Sequence, residues 1–582
     1  MNTDADESAD KNQVERGRRR YLVAPAPADP LNPAGPPVAA DILFEEVKAL
    51  PRARFLRVLR RADPRAAQND RTAQNTQNTP GGPVGVPAFP PVAVVELPDE
   101  QAQALGRVPG VIVEPDRPLS HVRATPTVPA RPGEAPPVGG AGPETRLAFL
   151  VRGPDGAPVP GASVLVIGGG WPARGVTGPD GRVALTVAAD DLAAVEGVCV
   201  TPAHSYWDRW IDRPGLRADA DNLITLRRLD EAVAGPPARS GLGWGQRAMR
   251  LPEVPPTYRG AGARIAIVDS GVTGDHPDLK GQVNAGIDLI EPAAAAWSVD
   301  VDGHGSHCAG VIAGAEGGGL AGFAPDAEIH SCRIFPGGHF SDLIEALDYC
   351  VEHQIDVVNL SVGARGGSLL VSQKIAQARE AGVACVAAAG STGDAVHFPA
   401  CLPTVLTVAA LGQVGAFPPD SHHATQIAGP LDARGLFSAR FSCSGPEVDV
   451  CAPGVAIVSC VPGGHYAAWD GASAAAPHVT GLAALAIAHR AEFAGPLARR
   501  DGARVRHLFE VIVAACQPVA DGSRDRCGAG MPDAPTALGL APIVTGAPPI
   551  AGGMPVPPDV ARLLVVLRAA AERAGLVPAR LA

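Results

Sequence analysis

No stretch of about 18 consecutive apolar residues occurs in this 582-residue chain, so the sequence offers no membrane-spanning helix. The first ten residues are acidic and polar, and the arginine-rich stretch from Arg16 to Arg20 has no apolar segment behind it. A secretory signal is therefore not expected, and the expected location is the cytoplasm, with non-standard export left open. A basic excess is also missing. Lys and Arg number 49 against 60 Asp and Glu, and a net charge of −11 gives a nucleic-acid partner no electrostatic support. The sequence has no His-Glu-x-x-His pattern, and no Cys or His cluster completes a metal shell around His304 and His307. His307, His465 and His478 read as packing or hydrogen-bonding residues. Nor is the cysteine count even. The eleven are mostly set in apolar segments such as Ala384-Cys385-Val386 and Val450-Cys451-Ala452, as for buried thiols in a reducing compartment. Cys516 with Cys527, or Cys443 with Cys451, are the pairs an oxidising compartment would allow.

Glycine and proline are abundant instead, at 68 and 59 residues, and their clustering marks linkers in a chain long enough for several domains. Three segments carry chemistry. Ile-Val-Asp-Ser-Gly at 267–271 ends a short apolar run that reads as a buried strand and leaves Asp269 at its tip. Gly-His-Gly-Ser-His at 303–307 opens a stretch of small residues fit for a closely packed helix. Asp-Gly-Ala-Ser-Ala-Ala-Ala-Pro-His-Val at 470–479 places Ser473 just ahead of a proline, which a helix tolerates near its start. A serine hydroxyl is a poor nucleophile at neutral pH. It needs an imidazole to take its proton and a carboxylate to hold that imidazole, and Ser473, His304 and Asp269 are of those types.

These segments, in the order Asp, His, Ser, resemble the subtilisin-like serine proteases. The resemblance implies an α/β fold, with a parallel sheet flanked by helices, and a serine endopeptidase acting on protein or peptide substrates through an acyl-enzyme. It also makes Val357-Val-Asn-Leu-Ser-Val-Gly363 the strand beside the substrate, with Ser361, Val362 and Gly363 pairing to an extended peptide. Two positions depart from the family pattern. Ser391 stands where an asparagine usually supplies the side-chain oxyanion donor, and Ala472 replaces the threonine that commonly precedes the nucleophile. The Ser391 hydroxyl can still donate one hydrogen and, being shorter than an asparagine side chain, reaches the oxyanion either directly or through a water. The competing reading is a catalytically weak or silent peptide-binding protein. The chemistry requires no cofactor. Asp278 matches a family position that often ligates calcium, but in the facing loop, 315–320, Glu316 brings the only side-chain oxygen, so calcium is at most an optional addition.

The remaining chain divides by pattern. Residues 1–17 read as a disordered tail. Residues 18–122 alternate short strands and helices around a polar insertion at about 64–88, a ferredoxin-like α+β plan similar to the inhibitory propeptide of subtilisins. That resemblance makes the chain's own N-terminal domain an inhibitor and implies self-cleavage near Val122, with Val122 in the first specificity pocket and Leu119 in the fourth. A linker at 123–144 leads to 145–230, where Gly-Pro-Asp-Gly turns at 153–156 and 178–181 flank alternating apolar residues. This segment suggests a small antiparallel β-sandwich and resembles carboxypeptidase-regulatory-like modules. The peptidase-like region is expected at 241–540, followed over 541–582 by a linker and a helix beginning at Asp559.

Overall fold

The structure, a computed structural model, describes residues 18–26, 38–59, 89–124, 144–168, 172–188, 192–230, 241–291, 296–315, 317, 319–519 and 523–542. The expectations for the tail at 1–17, the insertion at 64–88, most of the linker at 123–144 and the helix after Asp559 lie outside the described residues. Among the described residues no helix is long and apolar enough to cross a membrane.

Strands Val283–Asp288, Glu328–Arg333, Arg264–Asp269, Val357–Leu360, Ala384–Ala388 and Leu406–Gln413 lie side by side in that spatial order. All of these neighbours are parallel. The inner strands are buried along most of their length because both of their faces are covered, and successive side chains go to opposite sides. Thus Ile265, Ile267, Val386 and Ala388 join one core cluster, while Ala266, Val268, Cys385 and Ala387 join another. The first cluster includes Cys308 to Ala313, from the helix His304–Ala313, and much of the helix Ala472–His489. The second is covered by the helices Phe340–Glu352 and Leu369–Glu380. Pro477 lies inside the helix Ala472–His489 and has no N–H to offer the Ser473 carbonyl. That carbonyl accepts instead from Ser361 Oγ at 3.0 Å, which ties the nucleophile's helix to the substrate-flanking segment.

The N-terminal domain is a four-stranded antiparallel sheet in the order Arg54–Val58, Ala93–Pro98, Arg18–Pro25, Val111–Pro115. Its period-two pattern again separates two faces. Tyr21 and Val23 pack with Leu43, Phe44 and Val47 of the helix Ala40–Ala49, whereas Leu22 and Ala24 join the peptidase cluster that holds Phe340 and Leu343. Between 144 and 225, the described strands form two facing sheets around a core that includes Phe149, Val164, Val198 and Ile224. One feature departs from the antiparallel plan: Asp221–Thr225 runs parallel to Glu144–Arg152. The segment before it, Arg209–Asp212, belongs to the opposite sheet, so the chain crosses between sheets and no hairpin fixes the direction of return.

Candidate active site

Asp269 ends the central strand, His304 opens one helix and Ser473 lies in the first turn of another. The fold brings the three together. His304 Nδ1 lies 2.8 Å from both carboxylate oxygens of Asp269, and His304 Nε2 lies 2.9 Å from Ser473 Oγ. All three are buried. Burial alone would raise the Asp269 pKa, but the charge and hydrogen bond of His304 outweigh it, and the carboxyl is held below its ordinary value. Close approach of His304 to the strand end depends on Gly305, where a Cβ would meet the Gly271 carbonyl oxygen at 2.0 Å. Trp469 stacks on His307 with ring centroids 4.7 Å apart, extending the ring stack that includes His304. His307 and His478 are fully enclosed, and burial lowers their pKa values to about 3 and about 4. Each bonds a backbone carbonyl, of Ile457 and Ala474. His465 is exposed and stacks on His204 of the sandwich, at 3.8 Å between centroids.

The cleft holds the chain's own segment 119–124. Ser120–His121 pairs antiparallel with Val362–Gly363, and Val122 N–H donates to the Ser361 carbonyl at 3.3 Å. Ser361 thus offers the peptide its backbone, since its hydroxyl is bonded to the Ser473 carbonyl. Leu119 is buried in the cluster containing Val362, Ala364 and Phe398. Val122 borders a cavity of about 400 Å³ lined also by Gly363, Ser391, Thr392 and His397. Its carbonyl oxygen accepts from Ser391 Oγ at 2.6 Å and from Ser473 N–H at 3.4 Å. The Ser391 hydroxyl therefore reaches the carbonyl directly. Beyond the Val122–Arg123 bond, the Arg123 guanidinium lies 3.7 Å from the Trp469 ring centre, and Ala124 N–H donates to the Asp470 carbonyl at 2.9 Å.

Two contributions to the site are not announced by the sequence motifs. Ala472 N–H donates to Ser391 Oγ at 2.9 Å, so the backbone of the residue before the nucleophile aims the hydroxyl at the Val122 oxygen. His121 stacks on His304 at 4.4 Å between centroids, with Nδ1 2.9 Å from Asp302 Oδ2 and Nε2 3.4 Å from Asp269 Oδ1. Burial opposes charging of His121, yet the hydrogen bond to Asp302 and the charges of Asp269, Asp302 and Asp300 prevail and raise its pKa.

The surroundings of Asp278 do not fit a calcium ion. Its carboxylate accepts from Gly319 N–H at 3.0 Å, Leu320 N–H at 3.3 Å and the Tyr466 hydroxyl at 2.5 Å, so donors fill positions where a cation calls for further oxygens. Glu316 lies outside the described residues.

The sandwich docks beside the nucleophile's loop. Trp207 is buried in the peptidase core, and Asp208 Oδ1 lies 3.5 Å from His423 Nε2. His423 Nδ1 in turn is 2.7 Å from Asp470 Oδ1. Burial opposes the imidazolium, but the flanking carboxylates of Asp208 and Asp470 raise the His423 pKa to about 9.

The sequence profile of the Subtilase family matches residues 260–521. Subtilisin of Bacillus pumilus is 32% identical over 239 residues, which span 40% of this chain and 78% of that protein. Subtilisin E of Bacillus subtilis (strain 168) is also 32% identical over 239 residues, but there the match covers just over half, 56%, of its length. The Intracellular serine protease of Paenibacillus polymyxa is 31% identical over 253 residues, 41% of this chain and 71% of that protein. With an Asp, a His and a Ser meeting at the strand and helix ends of a parallel sheet, and with relatives of this extent, the chain belongs to the subtilase family of serine endopeptidases.

Proposed function

We propose that this serine endopeptidase cuts its own chain between Val122 and Arg123 and then retains the severed N-terminal domain as a product-like inhibitor of its cleft. The observation that carries the reading is the Val122 carbonyl oxygen, which accepts from both Ser391 Oγ and Ser473 N–H.

Ser473 Oγ attacks the Val122 carbonyl carbon as its proton passes to His304 Nε2. Asp269 holds the imidazole in register and stabilises the cation that forms. The negative charge that develops on the Val122 oxygen is met by the Ser391 hydroxyl and the Ser473 N–H, at the positive end of the helix Ala472–His489. Collapse breaks the bond to Arg123, whose amine takes the proton from His304. Water then releases Val122 as a carboxylate by the same proton route. The inhibitor role is supported by the strand pairing of 120–121 with 362–363, which depends on no bond that the cut removes. Once the tail leaves, the same edge is open to extended protein or peptide substrates.

Intact mass and N-terminal sequencing of the purified chain test the reading. The wild type is expected to yield a fragment beginning at Arg123, and Ser473→Ala to remain a single chain, a rate loss of ~10⁶-fold. A fluorophosphonate probe is expected to label wild type at Ser473 once the N-terminal domain is displaced. A wild-type chain that stays whole and unlabelled would instead identify a silent peptide-binding protein.

A further inference from the structure

Beside the oxyanion residue lies a group of side chains that the proteolytic reaction does not use. Asp394 Oδ1 is 3.4 Å from His397 Nε2 and 3.3 Å from Cys443 Sγ. The three ligand-type atoms all lie within 4.8 Å of one another. We propose that Asp394, His397 and Cys443 form a three-ligand site for a borderline-soft divalent cation of the zinc type, at the edge of the pocket that receives the residue before the scissile bond.

The spacing suits that ion. Bonds of about 2.3 Å to sulfur and about 2.0 Å to nitrogen and oxygen, at tetrahedral angles, set ligand atoms roughly 3.3–3.6 Å apart. The three atoms also converge on one point. Thr392 Oγ1 lies 2.9 Å from His397 Nε2, 3.2 Å from Cys443 Sγ, and bonds Asp394 Oδ1, so one small hydroxyl touches all three. A cation takes that central place when the hydroxyl turns to another staggered rotamer. The supports are in position. The second carboxylate oxygen of Asp394 is 3.2 Å from Arg365 Nη2. Cys443 N–H donates to the Gly390 carbonyl at 3.0 Å, and Ser444 N–H donates to the Asp394 carbonyl at 2.9 Å, so backbone bonds fix the two ligand-bearing segments together. Access is open, since the Asp394 side chain is 49% exposed and both Thr392 and His397 line the pocket. A thiolate, an imidazole and a carboxylate favour zinc over calcium or magnesium, and three protein ligands leave one position for water.

A second His-Asp-Cys group, His276, Asp278 and Cys460, shows by contrast what a committed set looks like. There His276 Nδ1 accepts from Asp278 N–H, Nε2 bonds the His465 carbonyl, and Asp278 accepts from two backbone N–H groups and a tyrosine. Both imidazole nitrogens are taken by backbone. In the group beside the oxyanion residue, the imidazole nitrogen in question faces a hydroxyl that can rotate away.

Filling the site would displace Thr392, whose chain neighbour is Ser391, so the cation is expected to slow cleavage. This consequence rests on the peptidase reading, whereas the site itself does not. Cobalt(II) added to the full chain serves as the probe, through the thiolate-to-cobalt charge-transfer band. Wild type is expected to bind one equivalent with that band, zinc to abolish it, and Cys443→Ser to lack it. Asp394→Asn, at a half-exposed position that does not threaten folding, is expected to bind at least tenfold more weakly. No band in wild type, or the same band in Cys443→Ser, overturns the site. Zinc should also slow peptide cleavage by wild type but not by Cys443→Ser. Equal inhibition of both would place the effect at Asp269 and His304 and overturn the link to Ser391, and a band in an inactive enzyme would sustain the site while the peptidase reading fails.

Discussion

The N-terminal domain and the β-sandwich both lie against the peptidase domain, but they are held differently. The N-terminal domain contributes one sheet face, with Leu22, Ala24 and Val94 against the helices Phe340–Glu352 and Leu369–Glu380. Two carboxylates sit at those helices' N-termini: Asp116 accepts from Ser341 N–H and Oγ, both at 2.9 Å, and Glu114 accepts from Leu369 N–H at 2.8 Å. The sandwich instead inserts Trp207 into the peptidase core and Asp208 beside a buried imidazolium. The proposed cut at Val122 falls between the two. It leaves the first domain bound by contacts alone and the second bound by contacts and chain. One interface is suited to eventual release, the other to permanence.

The largest test of that contrast is Trp207→Ala in the cleaved enzyme. Removing a buried tryptophan costs about 3–5 kcal/mol, which denaturant unfolding would register. A change below about 1 kcal/mol would show the sandwich to be a loosely attached spacer. The same interface has a pH signature. The folded-state pKa of His423 is raised to about 9 from an ordinary 6.5, so its contribution is complete below pH 6.5 and is lost as pH rises through 9. Stability of wild type is expected to decline across that window, and His423→Gln to flatten the decline.

Next in size is the cut that distinguishes the two domains. Ser391→Ala removes the hydroxyl 2.6 Å from the Val122 oxygen and is expected to slow self-cleavage about 100- to 1,000-fold, or 2.7–4 kcal/mol, the magnitude known for a side-chain oxyanion donor in subtilisin. Ser391→Asn, which returns an amide donor, should stay within roughly tenfold of wild type. Time courses of the Arg123 terminus measure both. An unimpaired Ser391→Ala would mean that the Ser473 N–H suffices.

What the sequence made legible follows from range. Asp269, His304 and Ser473 each sit in a short string whose local form also sets the backbone, so the strand end and the two helix starts could be read before their meeting was seen. Ile265 to Val268 likewise declares a strand covered on both sides. The contacts that tune the site lie elsewhere. His121 meets Asp269 and Asp302, Asp208 meets His423, and Asp394 meets Cys443 only after the chain has folded, and no periodicity marks such pairs. Ala472 is instructive in a different way. Its missing side-chain hydroxyl was the visible feature, while its backbone N–H, which every non-proline residue has, holds Ser391. The parallel strand Asp221–Thr225 escaped for a related reason: repeated turns suggest hairpins, and nothing local reports that the chain changes sheets.

Hold of the N-terminal domain is expected to depend moderately on Asp116. Its buried carboxylate accepts two hydrogen bonds from Ser341 and pairs with Arg20 at 2.9 Å. Asp116→Asn keeps the shape and removes the charge at the helix N-terminus, a loss of about 1–2 kcal/mol, or roughly 5- to 30-fold faster dissociation from the cleaved enzyme. Dissociation unchanged by this substitution would assign the hold to the apolar sheet face alone.

The smallest expected effect is a pH response in the same direction as that of the sandwich interface, read here in inhibition and not in stability. His121 faces Asp302 and Asp269 across the cleft, with Asp300 behind them and the His304 ring stacked upon it. Its pKa is raised in the bound tail relative to the ordinary 6.5. A group whose bound-state pKa is raised favours binding fully below its free value, and that contribution fades as pH climbs through the bound value. The cleaved tail should therefore inhibit more tightly below pH 6.5 and progressively less above it, with an inhibition constant that rises with pH across the titration. His121→Phe preserves the stack on His304 and cannot titrate, so it should inhibit with a flatter pH profile. If its profile matches that of wild type, the pH dependence does not come from His121, and the tail is held by strand pairing and by Leu119 without help from that charge.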